Sequence, residues 1–251
     1  MSDEKDYTFG HQKVSSNQKR SLIDEVFSDV ASKYDIMNDL MSFGVHRMWK
    51  DEFCNMIPNL NSKIIDVAGG TGDISFRLVE RAKKTNKKPQ IVVSDINRSM
   101  LEVCKNKALD NNIVSYIDLV VADAENLPFP DDSFDYYTIA FGIRNMLSIE
   151  KTLKEAYRVL KPTGKFLCLE FSRVQNDLMR PLYDLYSFSL IPTIGKVVAK
   201  NRGAYQYLAE SISVFPDQES FKEMIQDNGF KDVKYTNLTF GVAAIHYGFK
   251  H

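Results

Sequence analysis

The chain has 251 residues, 44% of them apolar, and its 32 basic residues nearly balance 33 acidic ones for a formal net charge of −1. That length and composition suit one large domain that buries its own core, and the charge balance names neither an acidic nor a basic partner. The cysteines Cys54, Cys104 and Cys168 lie far apart and the four histidines lack ligand spacing, so no disulfide framework and no metal are expected, and the expected setting is a reducing cytoplasm.

Residues 1–20 are polar, lack an apolar signal core, and read as a flexible arm ahead of a single domain over 21–251. Leu22, Ile23, Val26, Phe27, Val30 and Tyr34 share one helical face, which predicts a helix over 21–34. The run from Tyr34 to His46 mixes methionines, aromatics and polar groups without clean periodicity. Core packing accounts for its Met and Phe residues; Asp35, Asn38 and His46 are harder to place there. A second helical stretch, 47–56, ends before Pro58, so 21–60 is expected to supply helices over the site.

From Lys63 the types alternate regularly through a core unit ending at 173. A strand over 64–67 leads to a helix from Asp73 with Ile74, Leu78, Val79 and Ala82 inward. A strand over 91–94 ends at Asp95, and the next helix has Asn97 or Ser99 as its cap. A strand over 117–121 ends at Asp123, before a loop broken by Pro128 and Pro130. A strand over 136–141 follows, then a helix opened by Ser148 and stopped by Pro162-Thr163-Gly164, then a strand over 166–171. Residues 174–216 break the rhythm with dense apolar and aromatic content and read as a helical cap insertion. A helix over 217–229 ends at Gly229, and strands over 232–238 and 242–249 turn at Gly241 to close the domain as an antiparallel hairpin.

This pattern predicts an α/β fold: a doubly wound, mostly parallel sheet with helices on both faces. Ligands of such sheets sit beyond the carboxyl ends of the strands, which gathers 66–72, Asp95, Asp123-Ala124, 142–145 and 170–173 at one edge. The basic run at 81–88 falls where a helix ends, so it reads as a solvated last turn and no nucleic-acid partner is expected. No window approaches about 18 uninterrupted apolar residues, which leaves peripheral membrane contact open.

The turn Asp66-Val67-Ala68-Gly69-Gly70-Thr71-Gly72 sets backbone N–H groups and a helix N-terminus against a ligand. A nicotinamide dinucleotide would want a third glycine where Ser75 stands. The Tyr157-to-Lys161 spacing of short-chain dehydrogenases falls at a helix end before Pro162, with Tyr157 on the apolar face, so core packing explains it better. An acid upstream of the turn points instead to S-adenosylmethionine. Asp66 would hold its ammonium and N–H groups near Thr71 its carboxylate. Asp95 would accept from both ribose hydroxyls, Asp123 from the adenine amine, and the Ala124 N–H would reach a ring nitrogen. Each acid taken alone could equally be a turn or helix cap.

Four stretches carry a more specific likeness: 33–44 (KYDIMNDLMSFG), 66–73 (DVAGGTGD), 141–145 (FGIRN), and 158–162 with 169–172 (RVLKP, LEFS). With Tyr207-Leu208-Ala209-Glu210-Ser211-Ile212 and Pro216-Asp217-Gln218, they resemble the quinone-biosynthesis C-methyltransferases. That family methylates the ring of demethylmenaquinol and of 2-methoxy-6-polyprenyl-1,4-benzoquinol. The resemblance runs from about Phe9 to the C-terminus and implies a class I, Rossmann-like S-adenosylmethionine-dependent methyltransferase. It places Thr71, Asp95, Asp123 and Ala124 on the donor and Arg144 and Asn145 beside the quinol. Where the family often has serine after the fourth strand's isoleucine, Ala140 stands here.

The family's reaction moves a methyl from sulfonium to an aromatic carbon. A guanidinium does not lose its proton in proteins, so Arg144 is expected to stabilise the phenolate oxygen rather than act as a base. Asn145 would orient the same oxygen, and a water held by Arg144 would take the proton. An ion pair with a nearby acid is the plainer reading of Arg144. The cap is expected to offer a greasy tunnel to a polyprenyl tail and to rest on the inner membrane face, or else to form a dimer or domain core. A homo-oligomer or a quinone-biosynthesis complex leaves no readable mark. A methyltransferase for another small phenol or acid, and a donor-binding module without chemistry, are the competing readings.

Overall fold

The computed structural model describes residues 7–9, 12–30, 44–174 and 202–251. The stretch around Tyr34 to Phe43 and the cap residues 175–201, both singled out above, lie outside them.

Seven strands form the central sheet: β3 (Lys63–Val67), β4 (Gln90–Asp95), β5 (Ile117–Val121), β6 (Phe134–Ala140), β7 (Leu160–Phe171), β8 (Lys231–Leu238) and β9 (Ala243–Phe249). Their spatial order is β5-β4-β3-β6-β7-β9-β8. All pairings are parallel except those of β9, which lies antiparallel between β7 and β8. The expected hairpin thus closes the sheet with β9 inserted one place in from the edge. Its turn, Thr239–Gly241, is tight enough to hold Phe240 at φ 58°.

Alternate residues of each strand feed two cores. Ile64, Ile91, Val93, Leu167 and Leu169 face one layer, with Phe53, Leu78 and Cys104 of the covering helices. Ile65, Val92, Phe134, Phe166 and Cys168 face the other, with Leu153, Phe221 and Ile225. A period of two with both faces covered is why these strands read as nearly continuous apolar runs. The helices of the first layer are α2 (Val45–Asn55), α3 (Asp73–Lys84) and α4 (Arg98–Asp110); those of the second are α5 (Ile149–Val159) and, past α6 (Arg202–Val214), α7 (Gln218–Asp227). Side-chain caps begin three of them: Asn97 accepts from the Met100 N–H, Ser148 from Lys151, and Asp217 from Ser220. Tyr157 stacks edge-on against Phe230 and Lys161 pairs with Asp135, as a structural rather than a dehydrogenase pair would.

The N-terminal segment differs from the arm expected over 1–20. A short hairpin, β1 (Tyr7–Phe9) with β2 (Gln12–Val14), precedes helix α1 (Ser16–Val30). That helix starts five residues before the predicted position because Ser15 and Gln18 form a reciprocal capping box. The Ser15 N–H donates to Gln18 Oε1 at 2.9 Å and the Gln18 N–H to Ser15 Oγ at 3.3 Å.

The chain runs β3, β4, β5 outwards in one direction and then returns to β6 on the other flank of β3. The loops after β3 and β6 therefore diverge, and the crevice between them is where such sheets take ligands.

Candidate active site

Two turns built on left-handed backbone meet at that crevice. After β3, Ala68 (φ 50°), Gly70 (φ 54°) and Gly72 (φ 87°) all lie at positive φ; after β6, Phe141 does (φ 56°). Such conformations cost an alanine or phenylalanine about 1–3 kcal/mol and persist where surroundings over-determine them. The turns touch: a Cβ on Gly142 would come within 2.6 Å of the Ala68 Cβ. Only glycine at 142 lets the two loops close on each other.

Beneath them opens a cavity of ≈ 440 Å³, within the range of small-molecule sites. Gly70, Asp95, Asp123, Ala124 and Asn145 line it, as the sequence predicts. Asp95, at the end of β4, accepts the Gly70 N–H on Oδ2 at 2.9 Å and the Asn97 N–H on Oδ1 at 2.8 Å. Burial pushes its carboxyl above the usual range, and those backbone donors offset part of the rise. Asp123 receives the Glu125 N–H on Oδ1, while Arg20 reaches its Oδ2 at 2.7 Å.

Asp66, Thr71 and Arg144 do not line the cavity. Asp66 is 1% exposed, behind the turn rather than on it. Its Oδ2 accepts the Ser75 hydroxyl at 2.7 Å and its Oδ1 the Thr138 hydroxyl at 3.0 Å. Asp66, expected at a ligand ammonium, here braces β3, β6 and the first turn of α3. Thr71 is 3% exposed, in the same turn. Arg144 sits in the short helix Ile143–Asn145, its guanidinium turned inward. Its Nη1 donates to Glu170 Oε1 at 2.7 Å and to the Phe141 carbonyl at 2.6 Å. This is the ion pair that the plainer reading of Arg144 anticipates. Burial pushes the Glu170 carboxyl up, with the Arg144 guanidinium opposing it. Among the described residues Arg144 Nε is buried without a hydrogen-bond partner.

The N-terminal helix expected over the site supplies its roof, although the residues of it that meet the cavity were not named from the sequence. Arg20, Ser21, Ile23 and Asp24 of α1 line the cavity, and polar contacts hold the helix down. Lys19 Nζ donates to the Met146 carbonyl at 2.9 Å, and the buried Asn97 amide donates to Asp24 Oδ1 and Ser28 Oγ, each at 2.8 Å. The Ser15–Gln18 capping box is the signal that marks where this helix begins. Tyr207, from α6, was also missed as a site residue: its hydroxyl donates to Asn145 Oδ1 at 2.9 Å.

The Asp66 brace has a measurable signature. Burial raises its carboxyl from 3.8 to about 6, ahead of the lowering by Ser75 and Thr138. A raised carboxyl keeps its proton in the folded state, so its contribution to stability falls as pH rises through that interval, by roughly 3 kcal/mol. An amide can meet the same two hydroxyls without charge. Asp66→Asn is therefore expected to gain roughly 3 kcal/mol on the parent protein between pH 4 and 7 in urea unfolding. A pH-independent difference would show that Asp66 is not the group titrating.

The cavity fits a nucleoside-bearing ligand: carboxylates end β4 and follow β5, and Gly70 has nothing within 4 Å of where a Cβ would stand. Sheet order, the single inserted antiparallel strand and this crevice define a class I, Rossmann-like methyltransferase fold. A SAM-dependent methyltransferase from Thermotoga maritima shares it with a TM-score of 0.62, over 90% of this chain and 99% of that one, at only 19% identity. The model of the ubiE/COQ5 methyltransferase family matches residues 12–250. Among curated relatives, the ubiquinone/menaquinone biosynthesis C-methyltransferase UbiE of Rickettsia bellii is 55% identical over 242 residues, 96% of this chain and 98% of the relative. The Rickettsia prowazekii protein of the same name is 54% identical over the same shares. The chain belongs to the ubiE/COQ5 methyltransferase family.

Proposed function

We propose that this chain methylates a ring carbon of a polyprenylated quinol, using S-adenosylmethionine, in respiratory quinone biosynthesis. The candidate acceptors are demethylmenaquinol and 2-methoxy-6-polyprenyl-1,4-benzoquinol. One observation carries the reading: a single cavity joins Asp95, Asp123 and Ala124 at the nucleoside end to Asn145 beside the Arg144–Glu170 pair.

When bound, the donor supplies a methyl made electrophilic by its sulfonium. The protein's part is placement and activation of the acceptor. Asp95 would take the ribose hydroxyls, and Asp123 with the Ala124 N–H the adenine edge. Backbone N–H groups near Thr71, in the turn before α3, would take the carboxylate, which the helix N-terminus favours. Ionising a ring hydroxyl makes the adjacent carbon nucleophilic, so the acceptor side needs donors preorganised for a phenolate. Asn145 offers its amide there. Arg144 stands behind that wall in its pair with Glu170, from where its charge would favour a developing phenolate. Its buried Nε has no hydrogen-bond partner among the described residues, and a water reaching it would carry the proton away.

No described helix is long and apolar enough to cross a membrane. An acceptor with a polyprenyl tail would be met at a bilayer surface, so the chain works as a peripheral visitor there. The purified chain, given S-adenosylmethionine and each reduced acceptor in detergent, should form S-adenosylhomocysteine in step with methylated quinol. Absence of turnover on both acceptors would overturn the reading; turnover only on simpler phenols would favour the competing small-phenol methyltransferase.

A further inference from the structure

The mechanism above needs Asn145 to present donors, and an amide is ambiguous: one end donates, the other accepts. Asn145 lies in a tight turn between Gly142 and Met146, with its N–H bonded to the Gly142 carbonyl at 3.0 Å. Its neighbour Arg144 turns away to Glu170, so Asn145 alone of the pair lines the cavity. The side chain that meets it comes from elsewhere in the chain, 62 residues on, at 2.9 Å.

We infer that Tyr207 is a positioning residue for methyl transfer: its hydroxyl, donated to Asn145 Oδ1, fixes the amide so that the Nδ2 protons serve the acceptor's oxygen. This rests on the quinol reading above and deepens it by naming the group that sets the polarity of the acceptor wall. If the amide turned over, a carbonyl oxygen would face a developing phenolate and repel it. Tyr207 suits the task because it is 5% exposed and held within the cluster formed by Asn145, Arg144 and Glu170. Burial pushes its hydroxyl up to about 12, with Arg144 opposing and Glu170 reinforcing the rise. The proton needed for donation therefore stays on the oxygen through the neutral range. Tyr207 also belongs to α6, within the stretch expected as the cap, so this bond ties that helix to the turn after β6. Seating of that helix and the polarity of the acceptor wall are thereby linked.

A double-mutant cycle tests this. Tyr207→Phe deletes one oxygen and keeps the ring, so the fold should hold within a few degrees of melting temperature. Its kcat on the quinol should fall about tenfold, the loss expected from one positioning hydrogen bond, while affinity for S-adenosylhomocysteine stays unchanged. On an Asn145→Ala background the same substitution should change kcat less than about twofold, because the hydrogen bond through which it is inferred to act is gone. A purely structural Tyr207 would instead give the same loss on both backgrounds, or lower melting temperature and donor affinity together, and either result overturns the inference. A parent protein that methylates no quinol would bring down the functional reading, and the inference with it; additivity in an active parent brings down the inference alone.

Discussion

Arg144→Met is expected to lower kcat by more than about 100-fold while leaving affinity for S-adenosylhomocysteine intact, since preorganised charge at a developing oxyanion is worth roughly that much. The same change should cost the fold about 3–5 kcal/mol, because it strands the Glu170 carboxylate in a site where that side chain is 1% exposed. The two losses have different remedies. Adding Glu170→Gln removes the second charge, and a neutral buried pair is commonly as stable as the ionic one. Arg144→Met with Glu170→Gln should therefore melt close to the parent protein and still turn over slowly. Recovery of turnover together with stability would show that Arg144 serves only the ion pair. Circular dichroism melting and initial rates at saturating donor separate the cases.

The glycine turn carries the second large expectation. At Gly72 the backbone is left-handed (φ 87°), and an added Cβ would lie 2.6 Å from Cys104 Sγ and 2.9 Å from the Phe76 ring. Cys104 is fully buried in its core layer, and the partly buried Phe76 ring packs against the same layer. Gly72→Ala should thus destabilise by about 2–5 kcal/mol, strain and overpacking together. Gly70 is also left-handed (φ 54°), yet nothing lies within 4 Å of a Cβ there, and it lines the cavity. Gly70→Ala should cost only about 1–2 kcal/mol of stability but weaken S-adenosylhomocysteine binding more than tenfold. Thermal unfolding and calorimetric titration of both variants would show this exchange of roles. Normal binding by Gly70→Ala would mean that the ligand does not lie against the turn.

Much of this arrangement is legible in the amino-acid order. Ile64 to Val67, Ile91 to Asp95 and Ile117 to Val121 are apolar runs cut off by turn signals, and such runs fold as buried parallel strands whatever their partners. Their carboxyl ends then share an edge, which is why Asp95, Asp123, Ala124 and Asn145 come together as expected. What is not legible depends on contacts between distant segments. Asp66 reads as a ligand-facing acid because nothing local reveals that Ser75 and Thr138 enclose it. Arg144 reads with equal weight as an ion-pair member or an anion binder, and it is Glu170, 26 residues on, that decides its resting partner. A helix over the site was expected from 21–60, but its contacts were not legible, because its polar face, with Lys19, Arg20 and Asp24, looks solvated until Met146, Asp123 and Asn97 are seen beneath it. Tyr207 sits in a run that reads as apolar packing and carries part of the family likeness, and neither tells that its hydroxyl reaches Asn145.

The most direct test of the central claim follows the transferred carbon. The purified chain would be supplied with S-adenosylmethionine labelled with carbon-13 on the methyl group and with reduced demethylmenaquinone, and the product examined by carbon–proton correlation. The cavity linking Asp95 and Asp123 to Asn145 predicts a labelled methyl attached to a ring carbon, with an equimolar amount of S-adenosylhomocysteine. A label found on a ring oxygen, or left entirely on the donor, would contradict it.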